Sequence, residues 1–297
     1  FSRLRLIEIP DAEKRVAMLK AGEVDMAVLR PAGAAFSPEL VQADVSTLKE
    51  DGFNIQGPKY VTNAVLRFFM SYDPAYLTSK LQFRKALILG LDLKSLVEET
   101  YPPEVATLRA GAPMTTPSTI GYDPALPPYP YDPERAKELL AELGYDGEIV
   151  QLFSIATFGL PEMHDLNEMM AEQWRHIGLN VELIKTDYSE IEERMYPRPQ
   201  QFQDVGPAPL FHGADYRPPP GFGTLIKRYM SSDKSSMMAY PDPEKGDRIL
   251  AELAALGDPE QRDKKVRELG REWYKEYWAA PVLWRHEVYG LSPRLEG

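Results

Sequence analysis

The chain of 297 residues carries 45 acidic against 34 basic side chains, a net charge of −11, and has no basic block to track a phosphate backbone, which argues against nucleic acid as a partner. Its 43 % hydrophobic residues are ample for a packed core in one large domain or two ordinary ones, and no apolar run approaches the roughly 20 residues that cross a bilayer. The absence of cysteine excludes disulfides and thiolate-bound metals while leaving the compartment open.

In chain order, Leu4 to Ile9 alternates as a strand does, Asp11 can cap a helix through Lys20, and Gly22 leads into a second strand, Val24 to Leu29. This opening has neither the short apolar core nor the small-residue cleavage site of a signal peptide, and it reads as the interior of a longer protein. Five Asp-Pro pairs, beginning at Asp73, Asp123, Asp132, Asp242 and Asp258, stand where apolar periodicity restarts, so they read as helix caps and turns. At Tyr131 to Tyr145, Asp132 is the cap, Pro133 fits the first helical position, Ala136, Leu139, Leu140 and Leu143 make one apolar face, and Gly144 ends the helix. A βαβ unit follows: a strand over Ile149 to Ile155, a helix over Met163 to Ile177 with Leu166, Met169, Met170 and Trp174 on one side, and a strand over Val181 to Ile184, which argues for a mainly parallel sheet. A long proline-rich stretch, Pro197 to Gly223, reads as irregular, either a fixed binding loop or a connector. Asp258 with Gln261 suggests a capping box, Val266, Leu269, Trp273 and Tyr277 follow helical spacing, and Pro281 to Tyr289 is extended.

No catalytic motif emerges. The four histidines are scattered without a helical pair four apart, so the sequence gives no metal site, and it has no GxSxG elbow, GxGxxG turn or phosphate loop. A pair of carboxylates acting as in a glycosidase remains the one enzymatic alternative, without any pair singled out. Trp174 and Trp273, on apolar helix faces, are assigned to packing. Gly213-Ala214-Asp215-Tyr216, inside the proline-rich stretch, differs: small residues allow close approach and Asp215 is available to a cation.

Several of these segments stand together in an order that is not generic: Pro10 to Leu29 with its GEVD turn, FRKAL at Phe83 to Leu87 followed by Leu91-Asp92, YDPERAKELLAELGY, HIGLNVEL at His176 to Leu183, GADY at Gly213 to Tyr216, and PVLW at Pro281 to Trp284. The ordered set resembles the extracellular solute-binding proteins of family 5, the peptide-, nickel- and oligosaccharide-binding receptors of ABC importers, over nearly the whole chain.

The resemblance implies an α/β, periplasmic-binding-protein-like fold of the bilobal type II kind, here lacking the N-terminal part of one lobe. Residues 1–60 would belong to that lobe, 61–280 would form the second, ligand-binding lobe, and 281–297 would return to the first, with a hinge near Tyr60 to Ser71. It implies a binding protein without catalytic residues or cofactor, outside the cytoplasm, that takes up peptides between its lobes and delivers them to a membrane permease. It would touch the membrane only through the permease or through a lipid anchor upstream. Asp215 would pair with the ligand's α-ammonium group, with His212, Tyr216 and Arg217 as neighbours. Phe211-His212 stands where the family usually has Trp, Arg217-Pro218-Pro219-Pro220 where an acidic segment often follows, and Met70-Ser71 where Phe-Asn is frequent. These departures keep open a same-fold module for an oligosaccharide, a metal chelate or a sensory ligand.

Overall fold

The computed structural model describes residues 3–29, 45–57, 62–68, 74–101, 103–112, 115–117, 119–155, 163–187, 189–191, 205–215, 227, 231–232 and 243–295. Helix α1, Ala12–Lys20, starts at Asp11, whose carboxylate accepts from Lys14 N at 2.8 Å. It packs on β1, Met26–Val28. A helical turn over residues 45–50 leads into β2, Asn54–Gln56. Both strands pair antiparallel with β9, Tyr289–Leu291, to give a three-stranded sheet in the order β1-β9-β2. Gly290 at its centre is closely covered: a Cβ there would lie 2.7 Å from Leu19 and 3.2 Å from Leu48.

The second sheet has six strands in the order β4-β8-β3-β7-β5-β6. They are β3, Thr62–Phe68; β4, Ala106–Leu108; β5, Ile149–Ile155; β6, Asn180–Thr186; β7, Ala208–Asp215; and β8, Ala279–Arg285. The expected βαβ unit is present, with α5, Met163–His176, packed on parallel β5 and β6. The sheet is nevertheless mixed: β5 pairs parallel with β6 and β7, but β3 pairs antiparallel with β7 and β8, and β4 with β8. The mainly parallel expectation fails because only the βαβ strands are joined by a local crossover; β3, β4 and β8 arrive from distant parts of the chain and meet in the other sense.

Helix α2, Leu81–Leu89, carries the FRKAL residues, and the next helix is α3, Leu93–Thr100. The α2 helix lies against α4, Pro133–Leu143, which runs from an Asp132 cap to Gly144 in the left-handed region at φ 71°. The buried Trp174 of α5 donates from Nε1 to Leu87 O at 2.7 Å, fastening the βαβ unit to α2. Arg84, 2 % exposed, donates to Thr78 O, to Ser79 O and twice to Glu276 O, with its guanidinium 4.6 Å from the centre of the Trp278 ring. It joins the start of α2 to the end of α7, Pro259–Lys275, which follows α6, Pro243–Ala255. There Tyr277 takes φ 53°, while Trp278 N bonds back to Trp273 O, a left-handed helix ending at a residue other than glycine. Burial pushes this guanidinium down to about 10, with Glu276 and then Tyr129 opposing the fall.

Two sequence expectations change here. Leu4 to Ile9 is not a strand; no described strand pairs with it, and Leu4 and Leu6 are 76 % and 81 % exposed, since alternation alone supplies no hydrogen-bonding neighbour. At Asp258 the carboxylate accepts from Glu260 N rather than from the third helical residue, so it caps α7 without the predicted box. Of the other Asp-Pro pairs, Asp123 accepts from Ala125 N and pairs with Arg271 at 2.6 Å, whereas Asp73 and Asp242 lie outside the described residues.

Candidate functional site

One border of the six-stranded sheet gathers the candidate chemistry. Parallel β5, β6 and β7 all end there, at Ile155, Thr186 and Asp215. Register brings the first residues of β3 and β4 and the last residue of β8 to the same border: Asn63 stands opposite Asp215, Thr62 opposite Arg285, and Arg285 opposite Ala106. The carboxyl ends of parallel strands are where open α/β sheets bind ligands, because loops leaving them can enclose a molecule without disturbing the ladder. From this border the chain passes to and from the three-stranded sheet, between β2 and β3 and between β8 and β9.

The predicted site residues fall as follows. Asp215 is the last residue of β7, and His212 lies within that strand, flanked by Leu66 of β3 and Ser154 of β5. Gly213, Ala214 and Asp215 are therefore in an interior strand and not in a proline-rich loop, which corrects the expectation of an irregular stretch across 197–223. Pro207 and Pro209 depress strand propensity, but they fall just before β7 and at its second residue, where a missing N–H disturbs the ladder least. Tyr216 and Arg217 lie outside the described residues, as does the rest of the proline-rich stretch on either side of 205–215.

Beside the crossings lies a cleft of about 290 Å³ lined by Ile55, Gln56, Gly57, Pro103, Glu104, His286, Glu287 and Val288. The crossing strands touch here: a Cβ on Gly57 would stand 1.9 Å from Glu287 O. His286, 4 % exposed, donates its backbone N–H to Val105 O at 2.8 Å, and its Nε2 lies 3.3 Å from Thr107 Oγ1. Glu104 pairs with Lys49, whose hydrogen bond is the largest influence holding that carboxyl below its ordinary range. Burial, followed by a hydrogen bond to Glu287, pushes Tyr289 up to about 12.

A second polar set went unnoticed in the sequence. Asn167 donates to Ser154 Oγ at 2.8 Å, and Ser154 Oγ lies 2.7 Å from His164 Nδ1. With one hydroxyl lone pair engaged by Asn167, the serine proton is left for the neutral imidazole. Burial, then the nearby Lys185, lowers His164 from its ordinary pKa, against Asp165 and Glu168. This set ties the end of β5 to the first turn of α5, one strand away from His212. Its only sequence signal was a serine at a strand end with a histidine ten residues later. Among the described residues, no group of three or more His, Asp and Glu could hold a metal, and no helix is long and apolar enough to cross a membrane.

Comparison with known proteins gives a consistent match. The profile of the bacterial extracellular solute-binding proteins, family 5 Middle, matches residues 1–253. The chain is 25 % identical over 298 aligned positions to Heme-binding protein A of Haemophilus influenzae, covering 99 % of this chain and 51 % of that protein. It is 24 % identical to Di/tripeptide-binding protein 1 of Pseudomonas aeruginosa, over 62 % of this chain and 32 % of that one. Among solved structures, HbpA2 of Haemophilus parasuis superposes with a TM-score of 0.77 at 21 % identity, covering 97 % of this chain and 54 % of its own. The chain thus spans about half the length, or less, of the relatives it matches.

Proposed function

The chain belongs to the bacterial extracellular solute-binding proteins of family 5, and from that premise we propose that it is substrate-binding machinery of an ABC importer, taking peptides between two lobes outside the cytoplasm and passing them to a membrane permease. The family is one of solute receptors rather than catalysts, and this chain is read as a receptor. The three-stranded sheet with α1 is part of one lobe, and the six-stranded sheet is the frame of the other. In this reading residues 1–60 go with the first lobe and 61–280 with the second, and the return crossing is taken at 286–288 rather than from Pro281, because Pro281 lies within β8 of the six-stranded sheet.

The observation that carries the ligand reading is the position of Asp215, the end of an interior strand, on the border from which the chain crosses between sheets. A carboxylate there suits the α-ammonium group common to all peptides, because a charge-assisted bond shielded by lobe closure recognises the shared end whatever the side chains. His212, Tyr216 and Arg217 are its neighbours along the chain. Titration calorimetry with a dipeptide and its N-acetyl form tests this. Loss of a charge-assisted bond of about 1.5–3 kcal/mol weakens binding about 10- to 150-fold. Both acetylation and Asp215→Asn should do so, and their effects should not add. Unchanged affinity in Asp215→Asn would refute the anchor.

A second reading, a planar metal chelate such as heme, is favoured by one observation: the similarity to Heme-binding protein A runs along almost the whole chain, that to Di/tripeptide-binding protein 1 along less than two thirds. Heme binding followed by absorbance, unaffected by Asp215→Asn, would select it.

A further inference from the structure

The joint between the two sheets is built from few, identifiable contacts. Gly57 and Glu287, one from each crossing, are in backbone contact. Val288, 2 % exposed, belongs to the apolar core, and its carbonyl accepts from Leu29 N at 2.9 Å. This makes the joint a packed pivot rather than a free linker. His286 holds the return crossing to the six-stranded side through Val105 and Thr107. Lys49 belongs to the three-stranded side: its helical turn is fixed there by Leu48, packed over Gly290, and by the Phe53 N to Leu48 O bond that leads into β2. Glu104 belongs to the other side, two residues before β4. The Lys49–Glu104 ion pair therefore spans the two sheets, and Glu104 is also a wall of the cleft of about 290 Å³ beside the pivot.

We propose that Lys49 and Glu104 form a latch across the pivot that sets the angle between the two sheets, with the cleft as the space into which the joint moves when the latch opens. The two are positioning residues: they act on the opening between lobes and not on the ligand. The inference rests on the two-lobe receptor reading for its consequence, since the inter-sheet angle would set how readily a ligand is enclosed. Lys49 and Glu104 are 48 % and 34 % exposed, so the pair is screened by water and shifts the balance between two arrangements without locking either. An effect of up to about fivefold in their ratio follows from the strength of such pairs. Salt should reproduce it, because about 1 M salt shortens the screening length to about 3 Å.

The experiment is spin-label distance measurement in the 297-residue chain, whose lack of cysteine lets two introduced cysteines report alone. Glu23→Cys, in the exposed turn before β1, and Glu172→Cys, exposed on α5, place one label on each side. Lys49→Ala and Glu104→Gln should each transfer population to a second distance, by up to about fivefold in the ratio. About 1 M salt should do the same to the parent, and the charge-reversed pair Lys49→Glu with Glu104→Lys should restore the parent distribution. A distribution indifferent to both substitutions and to salt overturns the latch, and so does a shift that charge reversal fails to restore. Because no ligand enters the measurement, its outcome is independent of the calorimetry. A working latch in a protein that binds neither peptide nor heme would sink the receptor reading alone, and peptide binding with an insensitive distribution would sink the latch alone.

Discussion

Arg84 is the residue by which the FRKAL segment is best tested as architecture. Its side chain serves three carbonyl groups, those of Thr78, Ser79 and Glu276, from a site 2 % exposed. Bonds from a charged donor are each worth about 1.5–3 kcal/mol, so three acceptors represent about 4–9 kcal/mol. Against this stands the cost of keeping the charge buried: a guanidinium pushed down to about 10 from 12.5 corresponds to about 3 kcal/mol. Replacing Arg84 by Leu removes both, leaving a net destabilisation of about 3 kcal/mol. For a chain of this size that is a fall of about 6–12 °C in the melting midpoint, read by circular dichroism or calorimetry. Arg84→Lys, which keeps the charge but cannot reach all three oxygens, should fall between the two. A midpoint for Arg84→Leu within about 2 °C of the parent would refute the reasoning, since it would mean that desolvation cancels the bonds completely.

Two further outcomes follow from the joint and from the strand end beside it. Gly57→Ala should destabilise the protein strongly, because its Cβ would meet Glu287 O at 1.9 Å and backbone cannot rotate away as a side chain can; a stable variant with an unchanged melting curve would mean that the crossings do not touch. His164 is held below its ordinary pKa near 6.5, so the unfolded chain takes up its proton first as pH falls. The stability it contributes is therefore complete above that ordinary value and declines as pH drops from there towards the folded pKa. Melting midpoints at pH 7.5 and pH 5 should diverge less in His164→Gln than in the parent, and an equal divergence would show that His164 does not titrate on unfolding.

What the sequence made legible was what neighbouring residues decide together. Asp132, Pro133 and Gly144 bound α4 because a cap, a ring-fixed φ and a left-handed glycine act within one turn of the helix ends. The β5-α5-β6 unit was readable for the same reason, its strands and helix being joined by short local connections. Leu4 to Ile9 has the right alternation, yet a strand exists only where another supplies its partners, and that is not written in the segment itself. The antiparallel joining of β3 to β7 and β8 brings together residues more than a hundred positions apart, which periodicity does not encode. For β7, two prolines and a glycine outweighed the strand reading locally, and pairing on both sides with β3 and β5 outweighed them in the fold. Of the candidate residues, the sequence singled out Asp215 through GADY, with His212 just before it; Glu104, His286 and Glu287 carry no local pattern and become neighbours only when the crossings meet.

This division has a consequence for how far family membership reaches. The segments that carry the resemblance are occupied with one another: Arg84 of FRKAL is spent on carbonyls at two helix ends, Trp174 on Leu87 O, and Asp132 on the N-terminus of α4. Packing and hydrogen bonding fix those residue types, so a match to them identifies a scaffold. The border is assembled instead from strand ends and crossings, Asn63, Asp215, Glu104 and His286 to Val288, whose backbone positions the scaffold sets. Two receptors can therefore share every scaffold contact and bind different solutes, which is why relatives named for heme and for dipeptides can both resemble this chain at similar identity. Ligand choice should follow substitutions on the border, and stability should follow substitutions in the scaffold, with Asp215 and Arg84 as the clearest representatives of each.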